Sequence, residues 1–352
     1  MSNSQAVAPA APPKGDIRPV QDQFGRALRD LRISVTDRCN FRCRYCMPRR
    51  IFGSEYPFLQ PGEVLTFEEI ARIAKIFVRA GVTKLRITGG EPLLRPRLPE
   101  LLQTLAAIGG VEDIALTTNG SMLEKQAPLL RAAGLHRLTV SLDALDGAIF
   151  RAMSDTNVPV ETVLAGIEAA AAAGFAPIKI NMVVKRGWNE PQILPLALNF
   201  SRPGFVVRFI EYMDVGNTNG WRLADVVPSA EILETLQQHA PLERLPAKSP
   251  CETARRYRFQ GGEGELGIIA SVTQPFCQNC TRARISADGQ LHTCLFGEAG
   301  LDLKSRLRDG SSDEALFELI ESVWSDRSDR YSEMRASVSQ KRSKTEMSIL
   351  GG

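Results

Sequence analysis

The chain has 352 residues, is 43% hydrophobic and carries a formal net charge of +3 at neutral pH. That length holds two domains, or one barrel-sized domain with an appendage, and the apolar share supplies a full core. The charge is too small to argue for a nucleic-acid surface. No apolar run is long enough to span a membrane.

Residues 1–15 read MSNSQAVAPAAPPKG, without the basic start and long apolar run of a signal peptide. Ala and Pro dominate, which predicts a disordered tail over residues 1–20. The cytoplasm is the expected location, because a reducing compartment suits free thiolates. From Leu31 onward, strand and helix signals alternate. Apolar runs begin near Leu31, Lys84, Asp113, Arg137, Pro177 and Phe205. Helical stretches separate them at Thr66–Ala80, Arg97–Ile108, Ser121–Ala133, Val160–Ala173 and Pro191–Phe200. Thr66 and Glu69 predict a capping box, and Gly81, Gly134 and Gly174 suit C-terminal caps. Six β/α units in a row predict an α/β fold with a parallel sheet. The alternation alone leaves an open doubly wound sheet and a partial barrel both standing.

Side chains alternate along a strand, and this favours the barrel. Lys84, Arg86 and Thr88 share one face, while Leu85 and Ile87 share the other. Arg32, Lys179 with Asn181, Thr117, Ser141 with Asp143, and Arg208 repeat the theme. A parallel sheet buried on both faces reads as continuous apolar runs, so this cationic face lines a cavity. Few carboxylates share it. Unpaired buried cations are costly, and a bound anion offsets that cost. The competing reading is surface ion pairs on an open sheet face.

After Tyr212, residues 214–228 read as a loop. A helix near Ala230–Gln238, a polar linker, two strands within Tyr257–Val272 and a helix near Asp313–Trp324 follow. Six of the seven cysteines form two triplets: Cys39, Cys43 and Cys46, then Cys277, Cys280 and Cys294. Cubane clusters usually take four thiolates, so a triplet leaves one iron open to a small ligand. Structural zinc is the alternative, with His292 as a fourth ligand at the second triplet. Disulfides do not suit a chain of this size without a secretory signal. Cys251, alone in the linker, reads as incidental.

Tyr45 precedes the last cysteine of the first triplet, and Gly89-Gly90-Glu91-Pro92 follows the Lys84–Thr88 strand. Together these resemble the radical S-adenosylmethionine superfamily. LRISVTDRCNFRCRYCMP at 31–48, TKLRITGGEPLLR at 83–95, LTTNG at 116–120, SLDA at 141–144, RFIEYMDVG at 208–216 and the second triplet with its T-R-A-R narrow the resemblance to the GTP 3',8-cyclase family. It runs from about residue 20 to the C-terminus.

The resemblance implies an incomplete (βα)6 TIM-type barrel of parallel strands over 21–225. A C-terminal cluster-binding extension over 226–340 and a tail over 341–352 complete the chain. It implies two [4Fe-4S] clusters, on Cys39, Cys43 and Cys46 and on Cys277, Cys280 and Cys294. S-adenosylmethionine would lie beside Tyr45, Gly90, Ser141 and Met213. GTP would lie among Arg32, Arg86, Thr117, Lys179, Arg208, Arg282 and Arg284, and Lys84, which shares the cationic face, is expected to join them. Arg282, Arg284, Gly351 and Gly352 would assist the chemistry. The implied reaction is abstraction of the 3' hydrogen of GTP by a 5'-deoxyadenosyl radical, then closure of C3' onto C8, the first step of molybdenum cofactor biosynthesis. A flavodoxin or ferredoxin donor, a homodimer and hand-over to cyclic pyranopterin monophosphate synthase are further implications. Two rivals stand beside this reading: a peptide-modifying radical enzyme with an auxiliary cluster, and a zinc-stabilised nucleotide or RNA-binding protein.

Overall fold

The computed structural model describes residues 19–298, 300–335 and 344–351. The Ala/Pro-rich tail, apart from its last two residues, and Gly352 lie outside the described residues. Among those described, the strands are β1 (Asp30–Ser34), β2 (Lys84–Thr88), β3 (Asp113–Thr118), β4 (Arg137–Ser141), β5 (Ile178–Val184) and β6 (Phe205–Glu211), followed by β7 (Leu242–Leu245), β8 (Arg255–Phe259), β9 (Glu265–Ile269), β10 (Arg282–Ile285), β11 (Gln290–His292) and β12 (Leu301–Asp302). The helices are α1 (Phe67–Arg79), α2 (Leu98–Ala106), α3 (Leu123–Ala132), α4 (Gly147–Ser154), α5 (Val160–Ala172), α6 (Ile193–Asn199), α7 (Ser229–Gln237), α8 (Leu303–Arg308), α9 (Asp313–Ser325), α10 (Tyr331–Met334) and α11 (Met347–Leu350).

Strands β1 to β6 pair in order, all parallel, as the alternation predicts. The capping box at Thr66 forms: its hydroxyl accepts from Glu69 N at 3.2 Å and the Glu69 carboxylate accepts from Thr66 N at 2.8 Å. The sequence reading has no counterpart for α4, which Asp146 caps through its carboxylate.

The larger surprise lies at the edges of the sheet. Strand β10 adds parallel to β1 and β9 adds parallel to β6, giving the order β12-β11-β10-β1-β2-β3-β4-β5-β6-β9-β8-β7. The C-terminal residues therefore extend the barrel sheet at both sides. The β1–β10 pairing joins residues about 250 apart and leaves no local signature in sequence.

One face of the sheet is apolar. Leu31, Ile33, Leu85, Ile87, Ile114, Leu116, Leu138, Val140, Ile178, Ile180, Val207 and Phe209 are buried in one continuous core with the helices. Burying side chains of this size contributes about 1.5–3 kcal/mol each. The other face of the same strands lines the cavity.

Candidate active site

The cavity measures about 470 Å³, within the range of small-molecule sites. Arg32, Lys84, Arg86, Thr117, Lys179, Arg208, Arg282 and Arg284 all line it. Every residue expected to bind the anion therefore faces one space. Arg137, which the sequence reading left out, lines it as well.

Register explains why this face demands an anion. One row across the sheet reads Arg282, Asp30, Lys84, Asp113, alternating in sign. Asp113 also pairs with Arg137, accepting from its Nε at 2.7 Å, and Asp30 accepts from Thr281 Oγ1 at 2.5 Å. That row neutralises itself, which corrects the expectation that few carboxylates share this face. Two residues further along the strands, the next row reads Arg284, Arg32, Arg86, with no carboxylate. Lys179 and Arg208 continue the cationic set on β5 and β6. Gly267, opposite Arg208, leaves the room that side chain needs: a Cβ there would lie 2.9 Å from Arg208 Cγ.

The electrostatic consequence is visible in each group. Burial, then Arg284, Arg86 and Arg282, hold Arg32 well below the usual guanidinium range. Burial and neighbouring cations lower Arg86 to about 10 and Arg208 to about 9. Lys179 falls to about 7, through burial and then Arg208, Arg137 and Arg86. Guanidinium groups stay charged in proteins, so in them the shift expresses repulsion that an anion relieves.

The two triplets occupy opposite ends of the barrel. Cys39, Cys43 and Cys46 follow the C-terminal end of β1, where parallel barrels place their sites. Cys277 and Cys280 immediately precede β10, which runs parallel to β1. A five-residue strand separates the two ends by about 16 Å. Cys277, Cys280 and Cys294 line the cavity directly. Cys39, Cys43 and Cys46 are not among the lining residues, but Met347, which is, packs like Cys43 and Cys46 against the cluster of Tyr45, Met153 and Tyr212.

The donor sets suit iron–sulfur clusters. At the first triplet, burial pushes the Cys39 thiol up to about 12 and raises those of Cys43 and Cys46 as well. Cys39 raises both of the others, so the sulfurs lie within electrostatic reach of one another, although among the described residues no three His, Cys, Asp or Glu donors are gathered closely enough to hold a single metal ion. Buried thiols of this kind ionise when a metal centre supplies positive charge. At the second triplet, burial raises Cys294 to about 12. Burial would raise Cys280 too, but Arg282 and Arg327 override it and hold that thiol at about 6. His292 is buried on β11 with its Nε2 towards Gly300 and neither ring nitrogen partnered. It is not among the residues that line the cavity with Cys277, Cys280 and Cys294. Cys251, read from sequence as incidental, is exposed and lies at the cavity wall beside Glu252.

Around the first triplet, Tyr45 donates its hydroxyl to Asp143 Oδ2 at 2.7 Å, and Asp143 Oδ1 accepts from Val183 N at 2.9 Å. Gly90 sits so close to Arg38 that any Cβ would overlap its carbonyl oxygen, and Gly90 N donates to Thr36 O at 2.8 Å. The glycine thus lets the turn after β2 pack onto the cysteine loop. Met213 lines the cavity, whereas Ser141 lies at the end of β4 opposite Asn181.

Buried carboxylates do positioning that the motifs concealed. Glu91 accepts from Thr118 Oγ1 (2.7 Å), Leu93 N (3.0 Å) and Asn119 N (2.7 Å), tying the turn after β2 to the one after β3. Burial lifts its carboxyl to about 7 against those donors. Glu211 accepts from Ser229 N, Val272 N and Thr273 N at 2.7–2.8 Å, fixing the segment before the second triplet. Arg26 and Arg327 donate to the carbonyls of Cys277 and Cys280 at 2.8 and 2.9 Å. Glu91, Asp143 and Glu211 fall inside the quoted motifs, so the signal was present without a role attached. Arg26 and Arg327 had no such signal.

Comparison with known proteins agrees with this geometry. Residues 33–198 match the Radical SAM superfamily and residues 205–333 match Molybdenum Cofactor Synthesis C. A GTP 3',8-cyclase of Acidothermus cellulolyticus is 57% identical over 91% of this chain and 89% of its own. One from Xanthomonas campestris is 52% identical over 95% and 98%, and one from Staphylococcus saprophyticus 46% over 96% and 100%. Among solved structures, Streptococcus suis SuiB bound to S-adenosylmethionine superposes with a TM-score of 0.59 at 16% identity, covering 87% of this chain and 68% of that one. That likeness speaks to the fold alone. With more than half its residues shared with a full-length relative, the chain belongs to the GTP 3',8-cyclase family of the radical S-adenosylmethionine superfamily.

Proposed function

We propose that the chain converts GTP to (8S)-3',8-cyclo-7,8-dihydroguanosine 5'-triphosphate, the first step of molybdenum cofactor biosynthesis. The observation that carries this reading is the uncompensated row Arg284, Arg32, Arg86, in a cavity with a cysteine triplet at each end of its barrel. A triphosphate supplies the missing charge, and Arg offers it bidentate, charge-assisted hydrogen bonds.

When bound, a [4Fe-4S] cluster and S-adenosylmethionine supply a 5'-deoxyadenosyl radical. Cys39, Cys43 and Cys46 would hold that cluster, with Tyr45, Gly90, Ser141 and Met213 around the cofactor. Cys277, Cys280 and Cys294 would hold the second cluster, whose open iron would take the guanine. Arg32, Arg86, Thr117, Lys179 and Arg208, with Lys84 from the neutral row, would clamp the phosphates and sugar. Fixing both ends of GTP brings C3' and C8 together, and such positioning removes a large part of a barrier. Arg282 and Arg284 stand beside the second triplet, where they orient the base. Gly351 and Gly352 assist from the chain end. A flavodoxin- or ferredoxin-type donor, a homodimer, cytoplasmic location and a cyclic pyranopterin monophosphate synthase downstream belong to the same proposal. The division into a barrel over 21–225 and an extension over 226–340 belongs to it too. Among the described residues, no helix is long and apolar enough to cross a membrane.

Iron and sulfide analysis of anaerobically purified protein tests the two-cluster reading. About eight irons per chain are expected from two cubanes. GTP should perturb the spectrum of the wild type and leave that of Cys277→Ser unchanged. About four irons in the wild type, or zinc in their place, would sink it.

A second expected result concerns pH. Lys179, at about 7, is half-neutral near neutral pH in the free cavity. A bound triphosphate raises its pKa, so binding above pH 7 takes up a proton. GTP affinity is therefore greatest below about pH 7 and declines as pH rises through that value. Titration calorimetry at pH 8 in buffers of different ionisation enthalpy should show uptake approaching ~1 proton, lost in Lys179→Met. Equal uptake in both proteins would refute this assignment.

A further inference from the structure

The segment 344–351 makes an unusual set of contacts for so short a piece of chain. Lys344 Nζ donates to Asp214 Oδ2 at 2.7 Å and to the Asp214 carbonyl at 2.8 Å. Asp214 is buried and also accepts from Tyr331 Oη at 2.6 Å and Arg335 Nε at 2.9 Å. The Glu346 carboxylate accepts from Asn217 N and from Thr218 Oγ1, each at 2.8 Å. Gly216, at φ +73°, lies so close beneath it that a Cβ would overlap Glu346 Oε2. Between these two anchors, Thr345 N donates to Gly297 O at 3.1 Å and Thr345 Oγ1 to Glu298 O at 2.5 Å.

These contacts join two regions that serve different ends of the site. Residues 214–218 directly follow Met213, and Gly297 lies three residues past Cys294. Beyond the anchors, Met347 packs against the Tyr45 and Tyr212 cluster and α11 leads to Gly351. Arg284 Nη1 donates to Gly351 O at 2.9 Å. At φ +66°, Gly351 lies against Thr88, and a Cβ would overlap Thr88 Oγ1.

A glycine has no side chain by which to be held in place. A single helical turn such as α11 cannot hold itself either, because nucleation is unfavourable. Arg284 and the buried Leu350 hold the end itself, and the path by which the chain reaches it is set upstream. We propose that Lys344 and Glu346 are positioning residues for the reaction. They clasp the chain to residues 214–218 and so register Gly351 between Thr88 and Arg284. This rests on the reading above, in which the terminal glycines assist catalysis.

The test is amide hydrogen exchange on the full-length holoenzyme, with Glu346→Ala and Lys344→Met, alongside steady-state kinetics. The amides of residues 347–351 should exchange about tenfold faster or more, while those of β1 to β6 stay unchanged. Turnover should fall about tenfold, with the KM for GTP held within about twofold. Unchanged exchange in the tail would overturn the clasp. Faster exchange with unchanged turnover would overturn its role in the reaction. Should Glu346→Ala also loosen the strands, the Lys344→Met pair of measurements decides by the same two criteria. Wild-type protein that makes no cyclised product would refute the functional reading instead, leaving the exchange result to judge the clasp by itself.

Discussion

Cys43→Ala is expected to abolish product formation and leave GTP binding nearly intact. Cys43 lies half-buried in the loop after β1, packed against the Tyr45 cluster, and is proposed to share a cluster site with Cys39 and Cys46. Two thiolates cannot hold the site that three hold, so iron should fall by about half, from about eight to about four per chain. Without that centre no radical forms, and turnover should drop by at least ~10⁴-fold, to the limit of detection. The cationic row and the second triplet lie on other elements, which is why affinity for GTP should change by less than about threefold. Iron analysis, product assay and equilibrium binding read the three quantities. Loss of all iron, or of GTP binding, would mean that the two ends of the barrel are not independent.

Arg208→Met should weaken GTP binding about 100-fold, or about 2.7 kcal/mol. A charge-assisted hydrogen bond is worth roughly 1.5–3 kcal/mol and a bidentate pair lies at the upper end. The same substitution should leave the unliganded protein at least as stable, with an unchanged or slightly raised Tm. Arg208 lies near Lys179, and burial, then Arg86 and Arg137, hold it to about 9. Removing one charge from an unpaired group relieves repulsion, whereas the lost hydrogen bond to Asn181 Oδ1 (2.9 Å) leaves an acceptor that water in the cavity can satisfy. Stability and binding therefore move in opposite directions, as they do where a site is strained for function. A large fall in Tm with unchanged GTP affinity would show that Arg208 serves the fold.

The period-two alternation made much of this legible in sequence. Lys84, Arg86 and Thr88 face one way and Leu85 and Ile87 the other because a strand permits nothing else, and β1 to β6 follow from that. The same logic failed for the carboxylates. Asp30 and Asp113 stand at strand starts, and only the register between strands reveals that they neutralise Arg282 and Lys84 while the row above stays bare. Register between distant strands is a tertiary property, and so is the pairing of β10 with β1. His292, two residues from Cys294 in sequence, lies with its Nε2 towards Gly300, a neighbour that spacing alone does not show. The contacts of Lys344 and Glu346 with residues 214–218 span more than 120 residues and likewise leave no local pattern.

The choice among enzymes that share this barrel rests on substrate, and one measurement reaches it directly. GTP deuterated at C3' is turned over anaerobically with S-adenosylmethionine and a strong reductant, and the released 5'-deoxyadenosine is analysed for deuterium. Transfer of deuterium is the predicted result, since it fixes the radical chemistry, the substrate and the abstracted atom together. Deoxyadenosine without deuterium, from protein holding both clusters, would contradict the assignment of GTP as the molecule that this cationic cavity was built to hold.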